Sequence, residues 1–300
     1  MVSPLLITLD GAEHLADAVA ETAAASRTSL ERRRFPDGES YICLPGGLEG
    51  RDVVVLAGLD RPDDRILAAL FVLSTARELG ARSIGLVAPY LPYMRQDERF
   101  RPGEVVSARL FCALIDERVD WVATVDPHLH RTPHLSDVFR CSALSVSAAN
   151  PMAEWISARC DNPVIVGPDE ESAQWVRQVA ARCGDAPWAV MSKERSGDRQ
   201  VEVSTVDEVD VRGRDVVLVD DIVSSGMTMV KAAEQLAEQG AGKIFALATH
   251  ALFAPGAAEV LATSPISLIA TGDTVVHNTN QFSVAAELGK AVRGLLEQRT

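Results

Sequence analysis

The chain has 300 residues, 47% of them hydrophobic and spread along its whole length, enough for two domains of ordinary size with buried cores. A formal net charge of −13 argues against a nucleic-acid partner, because phosphate backbones select basic surfaces. The five cysteines, Cys43, Cys112, Cys141, Cys160 and Cys183, are odd in number and never form a CxxC, which argues against a disulfide framework or zinc ribbon and suits a reducing cytoplasm. No apolar run has the length of a membrane span, and MVSPLLITLDGAEH lacks the basic start of a signal peptide, so the expectation is a soluble cytoplasmic α/β protein with no membrane partner.

In chain order, DVVVLAGL (52–59) predicts a strand and ILAALFVLSTARELG (66–80) a helix closed by Gly80. SIGLVAPY (83–90), WVATVD (121–126) and PVIVG (163–167) read as strands, as do DVVLVDD (215–221), KIFALATH (243–250) and SLIAT (267–271). MVKAAEQLAEQG (229–240) is a second helix ended by glycine. Apolar runs this continuous suit strands covered on both faces in a parallel sheet, the doubly wound α/β pattern.

The pattern also repeats. GRDVVVL (50–56) returns as GRDVVLV (213–219), and GARSIGLVA (80–88) returns as GAGKIFALA (240–248). Two matches in the same order imply two similar domains, 1–145 and 146–300, joined near 142–152, with the last helix free to pack back on the first. The copies differ after the strand, where the second has Asp220 and Asp221 and the first has Ala57 and Gly58.

VVLVDDIVSSGMT (216–228) carries the strongest chemical signal. Ligands of open parallel sheets bind beyond the C-terminal ends of the strands, where these two carboxylates are expected. The hydroxyls, glycine and free N–H groups that follow, at the mouth of a helix, suit a phosphate dianion, and the carboxylates suit sugar hydroxyls or a divalent cation. A plain helix cap would explain one acid or one serine, not the pair with its hydroxyl-rich turn. No GxxxxGK[ST] occurs here.

This segment resembles the phosphoribosyl-pyrophosphate signature shared by type I phosphoribosyltransferases and ribose-phosphate pyrophosphokinases. The remaining motifs resemble the second family, in a pattern closer to its shorter, archaeal-like members, and the similarity runs through to the tail TGDTVVHNTNQFSVAAELGKAV. RRFPDGESYICLP (33–45) is similar to the family's R-F-x-D-G-E, which implies that Phe35 stacks on adenine while Asp37, Gly38 and Glu39 contact ATP held by a neighbouring subunit; taken alone, P-D-G is a common turn. In APYLPYMRQDERFRPGEVVSARL (88–110), Arg95 and Gln96 match the residues that hold ATP, with Glu98 at a position where Arg or Lys is common. TVDPHLHRTPH (124–134) implies that His128 lies beside ATP phosphates and Mg2+; His130 and His134 are given no role. VGPDEESAQWV (166–176) puts Asp169 at the family's second metal-linked acid, with Glu170 and Glu171 departing from the usual P-D-x-G.

Lys193 and Arg195, in MSKERSGDRQVEV (191–203), match the cations of the family's flexible catalytic loop, with Glu194 where a further basic residue is common. Two cations on such a loop can neutralise charge that develops during phosphoryl transfer.

The resemblance therefore implies two phosphoribosyltransferase-like domains, each a mainly parallel sheet flanked by helices. It also implies a homo-oligomer, at least a dimer, that transfers the diphosphoryl group of Mg·ATP to ribose 5-phosphate. Asp220 and Asp221 would hold the ribose hydroxyls, Ser224, Ser225, Gly226, Met227 and Thr228 would form the 5-phosphate cradle, and Arg195 would also face the ribose phosphate. Met227 replaces a usual glycine. Two other readings remain at this point, a phosphoribosyltransferase and a catalytically silent homologue that binds nucleotide and regulates a synthetase.

Overall fold

The computed structural model describes residues 3–129, 134–196, 200–204 and 209–299, and the chain divides into two compact units. The first, Met1–Ser147 with Val284–Thr300, contains β1 (Leu5–Thr8), α1 (Glu13–Thr22), β2 (Ser26–Thr28), β3 (Glu31–Arg34) and β4 (Ser40–Cys43). These are followed by β5 (Asp52–Leu56), α2 (Pro62–Glu78), β6 (Ser83–Ala88), α3 (Ser107–Asp116), β7 (Trp121–Val125) and β8 (Ser142–Val146). The second unit, Ala148–Ser283, begins with α4 (Ala149–Ser157), β9 (Val164–Gly167), α5 (Ala173–Arg182), β10 (Trp188–Val190), β11 (Ser192–Ser196) and β12 (Gln200–Ser204). It continues with β13 (Val216–Val223), α6 (Met227–Glu238), β14 (Ile244–Ala251), α7 (Ala257–Ala262), β15 (Ile266–Gly272) and β16 (Asn280–Phe282), and α8 (Ala285–Glu297) then belongs to the first unit.

Each unit is built on a parallel six-stranded sheet, β2-β1-β5-β6-β7-β8 in one and β10-β9-β13-β14-β15-β16 in the other. The two orders correspond strand for strand. Antiparallel hairpins, β3–β4 and β11–β12, occur at the same point of each unit, just before the strand that carries the repeated GRDVV sequence.

The internal repeat is structural as well. Val53 pairs with Ile84 in the first unit and Val216 with Ile244 in the second, the equivalent positions of the two copies. Gly50 N–H donates to Gly80 O at 2.8 Å, and Gly213 N–H donates to Gly240 O at 2.8 Å. All four glycines have positive φ, between 68° and 84°, where a Cβ would be strained. The sequence identity of the copies thus reflects one turn-and-strand geometry used twice.

Strands β5, β6, β7, β9 and β14 are buried along their full length, the mainly apolar runs enclosing a few buried polar residues, Asp52, Ser83, Thr124, Thr249 and His250. Close packing is visible at Gly85, where an added Cβ would lie 2.0 Å from the Trp121 ring, fully buried on the neighbouring strand. Helix α8 buries Leu288, Val292, Leu295 and Leu296, and Gly289 lets it approach α1, since a Cβ there would meet Thr22 Cβ at 2.4 Å.

The structure adds three details to the sequence expectations. The stretch read as an interdomain joint contains β8, a half-exposed edge strand whose Ser142 and Ser145 interrupt the apolar run. Helix α2 begins at Pro62 rather than 66, since a proline at the helix start followed by Asp63 and Asp64 completes the first turn favourably. Strand β13 carries both acids as expected but runs past the predicted 215–221, pairing Asp220 with Ala248 and continuing to Val223 against Ala251. Among the described residues no helix is long and apolar enough to cross a membrane.

Candidate active site

In the second unit the chemistry gathers at the C-terminal edge of the sheet. Val166 of β9 pairs with Leu218 of β13, so Asp169 and Asp221 each stand three residues beyond a paired position on adjacent strands. Asp221 is 3% exposed, Asp220 is half-buried, and Asp221 N–H donates to Asp220 Oδ1 at 2.9 Å. Burial pushes the Asp220 carboxyl well above the usual carboxylate range, and the charges of Asp221 and Asp169 push it the same way. Carboxylates close enough to feel one another are a site suited to hydroxyl donors.

The following loop turns through Gly226, whose φ of 76° places it in the left-handed region as the cap of α6. A Cβ there would lie 2.8 Å from the Leu261 side chain, so glycine is required for space as well as for conformation. Ser224 O accepts from Ala254 N–H at 3.1 Å and Val223 O from Leu252 N–H at 3.1 Å, which ties the loop to the segment after β14. The first turn of α6 contains no acid, leaving the positive end of its dipole uncompensated by a side-chain carboxylate there. Thr228 is half-buried and Ser225 exposed. Met227 is 44% exposed, and its N–H makes a long bond of 3.4 Å to Ser225 Oγ.

Glu170 and Glu171 begin a single 3-10 turn ahead of α5, and both are exposed. Asp169 caps this turn, its Oδ1 accepting Glu171 N–H at 3.1 Å. Lys193 and Arg195 fall in β11, paired with Val203 and Val201 of β12; their side chains lie outside the described part of the structure.

In the first unit, Phe35, Asp37, Gly38 and Glu39 form the exposed tip between β3 and β4. Phe35 N–H donates to Glu39 O at 2.8 Å, Gly38 N–H to Phe35 O at 2.9 Å, and Glu39 N–H to Asp37 Oδ1 at 3.1 Å. The Arg33 guanidinium lies 4.9 Å from the Phe35 ring centre and 4.3 Å from that of Tyr41, a cation–π bracket beneath the tip that the motif alone does not reveal. The alternation R-x-F…Y across a turn is the sequence signal that could have suggested it.

Arg95 and Gln96 follow β6, and His128 follows β7. Because Ala88 pairs with Thr124, these two segments leave the C-terminal edge of the same sheet as neighbours. Arg95 is exposed, Gln96 and His128 half-buried. His134 takes part in the cap of a 3-10 turn with Asp137, whereas His130 lies outside the described residues. Among the described residues no three His, Cys, Asp or Glu side chains cluster as a metal cage.

Residues 5–118 match the N-terminal domain of ribose phosphate pyrophosphokinase, and residues 143–285 match the phosphoribosyl transferase domain. A ribose-phosphate pyrophosphokinase of Methanopyrus kandleri is 38% identical over 293 residues, covering 97% of this chain and 99% of its own. The chain belongs to the ribose-phosphate pyrophosphokinase family. Its relative from Methanothermobacter thermautotrophicus is 33% identical, with 94% of this chain and 97% of that one covered. The crystal structure of phosphoribosylpyrophosphate synthetase from Mycobacterium smegmatis superimposes with a TM-score of 0.86 at 25% identity, covering 98% and 99% of the two chains. Family membership extends over both units, so the reading as a phosphoribosyltransferase alone is not favoured.

Proposed function

We propose that the chain transfers the diphosphoryl group of Mg·ATP to the 1-hydroxyl of ribose 5-phosphate, giving phosphoribosyl pyrophosphate and AMP. The observation that carries this reading is the adjacent acid pair, half-buried Asp220 and buried Asp221, on the strand that leads into the Gly226 turn at the start of α6. The acids accept hydrogen bonds from the ribose hydroxyls, and Ser224, Ser225, Gly226, Met227 and Thr228 receive the 5-phosphate. Phe35, Asp37, Gly38 and Glu39 at the hairpin tip, with Arg95, Gln96 and His128 beyond the sheet edge, hold ATP. His128 and Asp169 are the groups that would hold Mg2+, which shields charge on the phosphoryl oxygens when bound.

The bond formed joins the sugar's 1-oxygen to the β-phosphorus. The bond broken is the one from that phosphorus to the oxygen bridging to the α-phosphate, which leaves with AMP. Lys193 and Arg195 stabilise the charge on the transferring group, and Arg195 also faces the ribose phosphate, so the chain acts mainly by positioning and electrostatics. The protein works in the cytoplasm as a homo-oligomer of at least two chains, a reading that rests on its cysteine usage and on the family resemblance of the hairpin.

A silent homologue drew its support from Glu170, Glu171, Glu194 and Met227. Glu170, Glu171 and Met227 are exposed, the Glu194 side chain lies outside the described part of the structure, and the match to curated ribose-phosphate pyrophosphokinases over nearly the whole chain does not favour that reading. The test is AMP formation from ATP and Mg2+ with and without ribose 5-phosphate. AMP release that depends on the sugar phosphate, and falls by about 100-fold or more in Lys193→Ala, is the expected result. ATP binding without AMP release would overturn the proposal.

A further inference from the structure

Between β6 and α3 the chain runs through residues 89–106 without a helix or strand. Connections of this length in compact domains are uncommon, and without internal bracing such a segment has many conformations to lose on binding. Leu91 and Met94 anchor the start of the segment in the core, but Arg95 and residues 98–103 are exposed, so apolar burial does not fix the part beyond Met94. There, hydrogen bonds converge on one side chain. Glu104 Oε2 accepts Phe100 N–H at 2.8 Å and Arg101 N–H at 3.0 Å, and the Gln96 amide reaches the same oxygen at 3.5 Å. Glu104 O accepts from Arg99 Nε at 2.8 Å, and Glu104 N–H donates to Arg101 O at 3.3 Å.

Gln96 is held from both sides. Its Nε2 donates to Glu98 O at 3.1 Å, and its own carbonyl accepts Ala108 N–H at 3.3 Å at the start of α3. The loop is thus folded around the Glu104 carboxylate, and Arg95 and Gln96 sit where that fold begins. A carboxylate near a polyphosphate site would ordinarily repel the ligand. Here its charge is turned inward onto two backbone N–H groups.

We infer that Glu104 is a positioning residue for ATP. It contacts no reacting atom and acts by pre-forming the loop that presents Arg95 and Gln96, so that nucleotide binding does not bear the ordering cost. The inference rests on the proposed role of Arg95 and Gln96 in holding ATP.

The experiment compares full-length wild type with Glu104→Ala, Glu104→Gln, Arg95→Ala and Gln96→Ala. It reads kcat, the KM of each substrate, and the thermal midpoint without ligand. Removing an acceptor shared by two N–H groups is expected to raise the ATP KM by about tenfold in Glu104→Ala. The ribose 5-phosphate KM and kcat stay within about twofold, because the sugar site and transfer chemistry are untouched. Glu104→Gln keeps an oxygen in the same place and recovers most of the ATP KM. An ATP KM unchanged in Glu104→Ala but raised in Arg95→Ala or Gln96→Ala overturns the positioning role and leaves the ATP assignment standing. A parallel rise of both KM values, tracking a fall in thermal midpoint, also overturns it in favour of a purely structural role. If neither Arg95→Ala nor Gln96→Ala alters the ATP KM, the ATP assignment itself falls, and the inference falls with it.

Discussion

Asp220, proposed to bind the ribose hydroxyls, works against the stability of its own fold. Its carboxyl is held well above the usual range by burial first, then by Asp221 and Asp169, so ionising it in the empty protein is costly. A carboxyl whose folded-state value lies above its unfolded value contributes stability at low pH and loses it as pH rises through the folded-state value. Asp220→Asn removes that ionisation while keeping the shape. The variant is therefore expected to melt higher than wild type at neutral pH, on the order of a few degrees, in the absence of substrates and metal. The gain should shrink as pH is lowered towards the ordinary carboxylate range, and activity should fall because a sugar-binding acceptor pair is lost. Thermal unfolding across pH, beside AMP release, checks both signs.

At the scale of elements, the duplicated topology gives equivalent places to two hairpins for which different tasks are proposed. One carries Phe35 at an exposed tip backed by Arg33 and Tyr41; the other carries Lys193 and Arg195. Neither hairpin belongs to its six-stranded sheet, so each can be altered without disturbing a core strand. Helix α8 is constrained differently, by contact rather than by charge. Glycine to alanine in a helix interior ordinarily stabilises by roughly 0.5–1 kcal/mol. Gly294→Ala should follow that rule, since an added Cβ meets nothing within 4 Å. Gly289→Ala should reverse it, because its Cβ would meet Thr22 Cβ at 2.4 Å, and overpacking of that kind costs about 1–3 kcal/mol. Thermal midpoints of the two variants should move in opposite directions, which separates helix propensity from packing against α1.

For the whole molecule, the proposed sharing of an ATP site between subunits makes a prediction that a monomer cannot satisfy. Phe35→Ala disables the site to which that hairpin is lent, and Lys193→Ala disables the site of the chain that carries it. When the two inactive proteins are mixed under conditions that allow subunit exchange, half of the dimeric pairs are mixed and each restores one intact site. Activity should return to about a quarter of wild type in a symmetric assembly. No recovery after demonstrated exchange would place Phe35 and Lys193 in the site of one chain.

Much of this protein was legible from sequence because its signals are local. Unbroken aliphatic runs such as 53–56 and 244–248 state burial on both faces, and Gly50, Gly80, Gly213 and Gly240 mark backbone that only glycine adopts easily. The repeat and the Asp220–Thr228 run could be read for the same reason, since strand, turn and helix start are consecutive in the chain. Other features depend on residues far apart in sequence. The extension of β13 beyond its acids to Val223 is set by pairing with β14, not by hydropathy, and the edge strand β8 has too weak a pattern to declare itself without β7 beside it. Asp169 is felt by Asp220 only because β9 and β13 are neighbours in the sheet. The sequence by itself therefore determined the element types, the duplication and the chemical character of the loops. Tertiary structure decided which charges meet, how far burial shifts them, and which carboxylate folds a loop, because those are set by distances that no local pattern encodes.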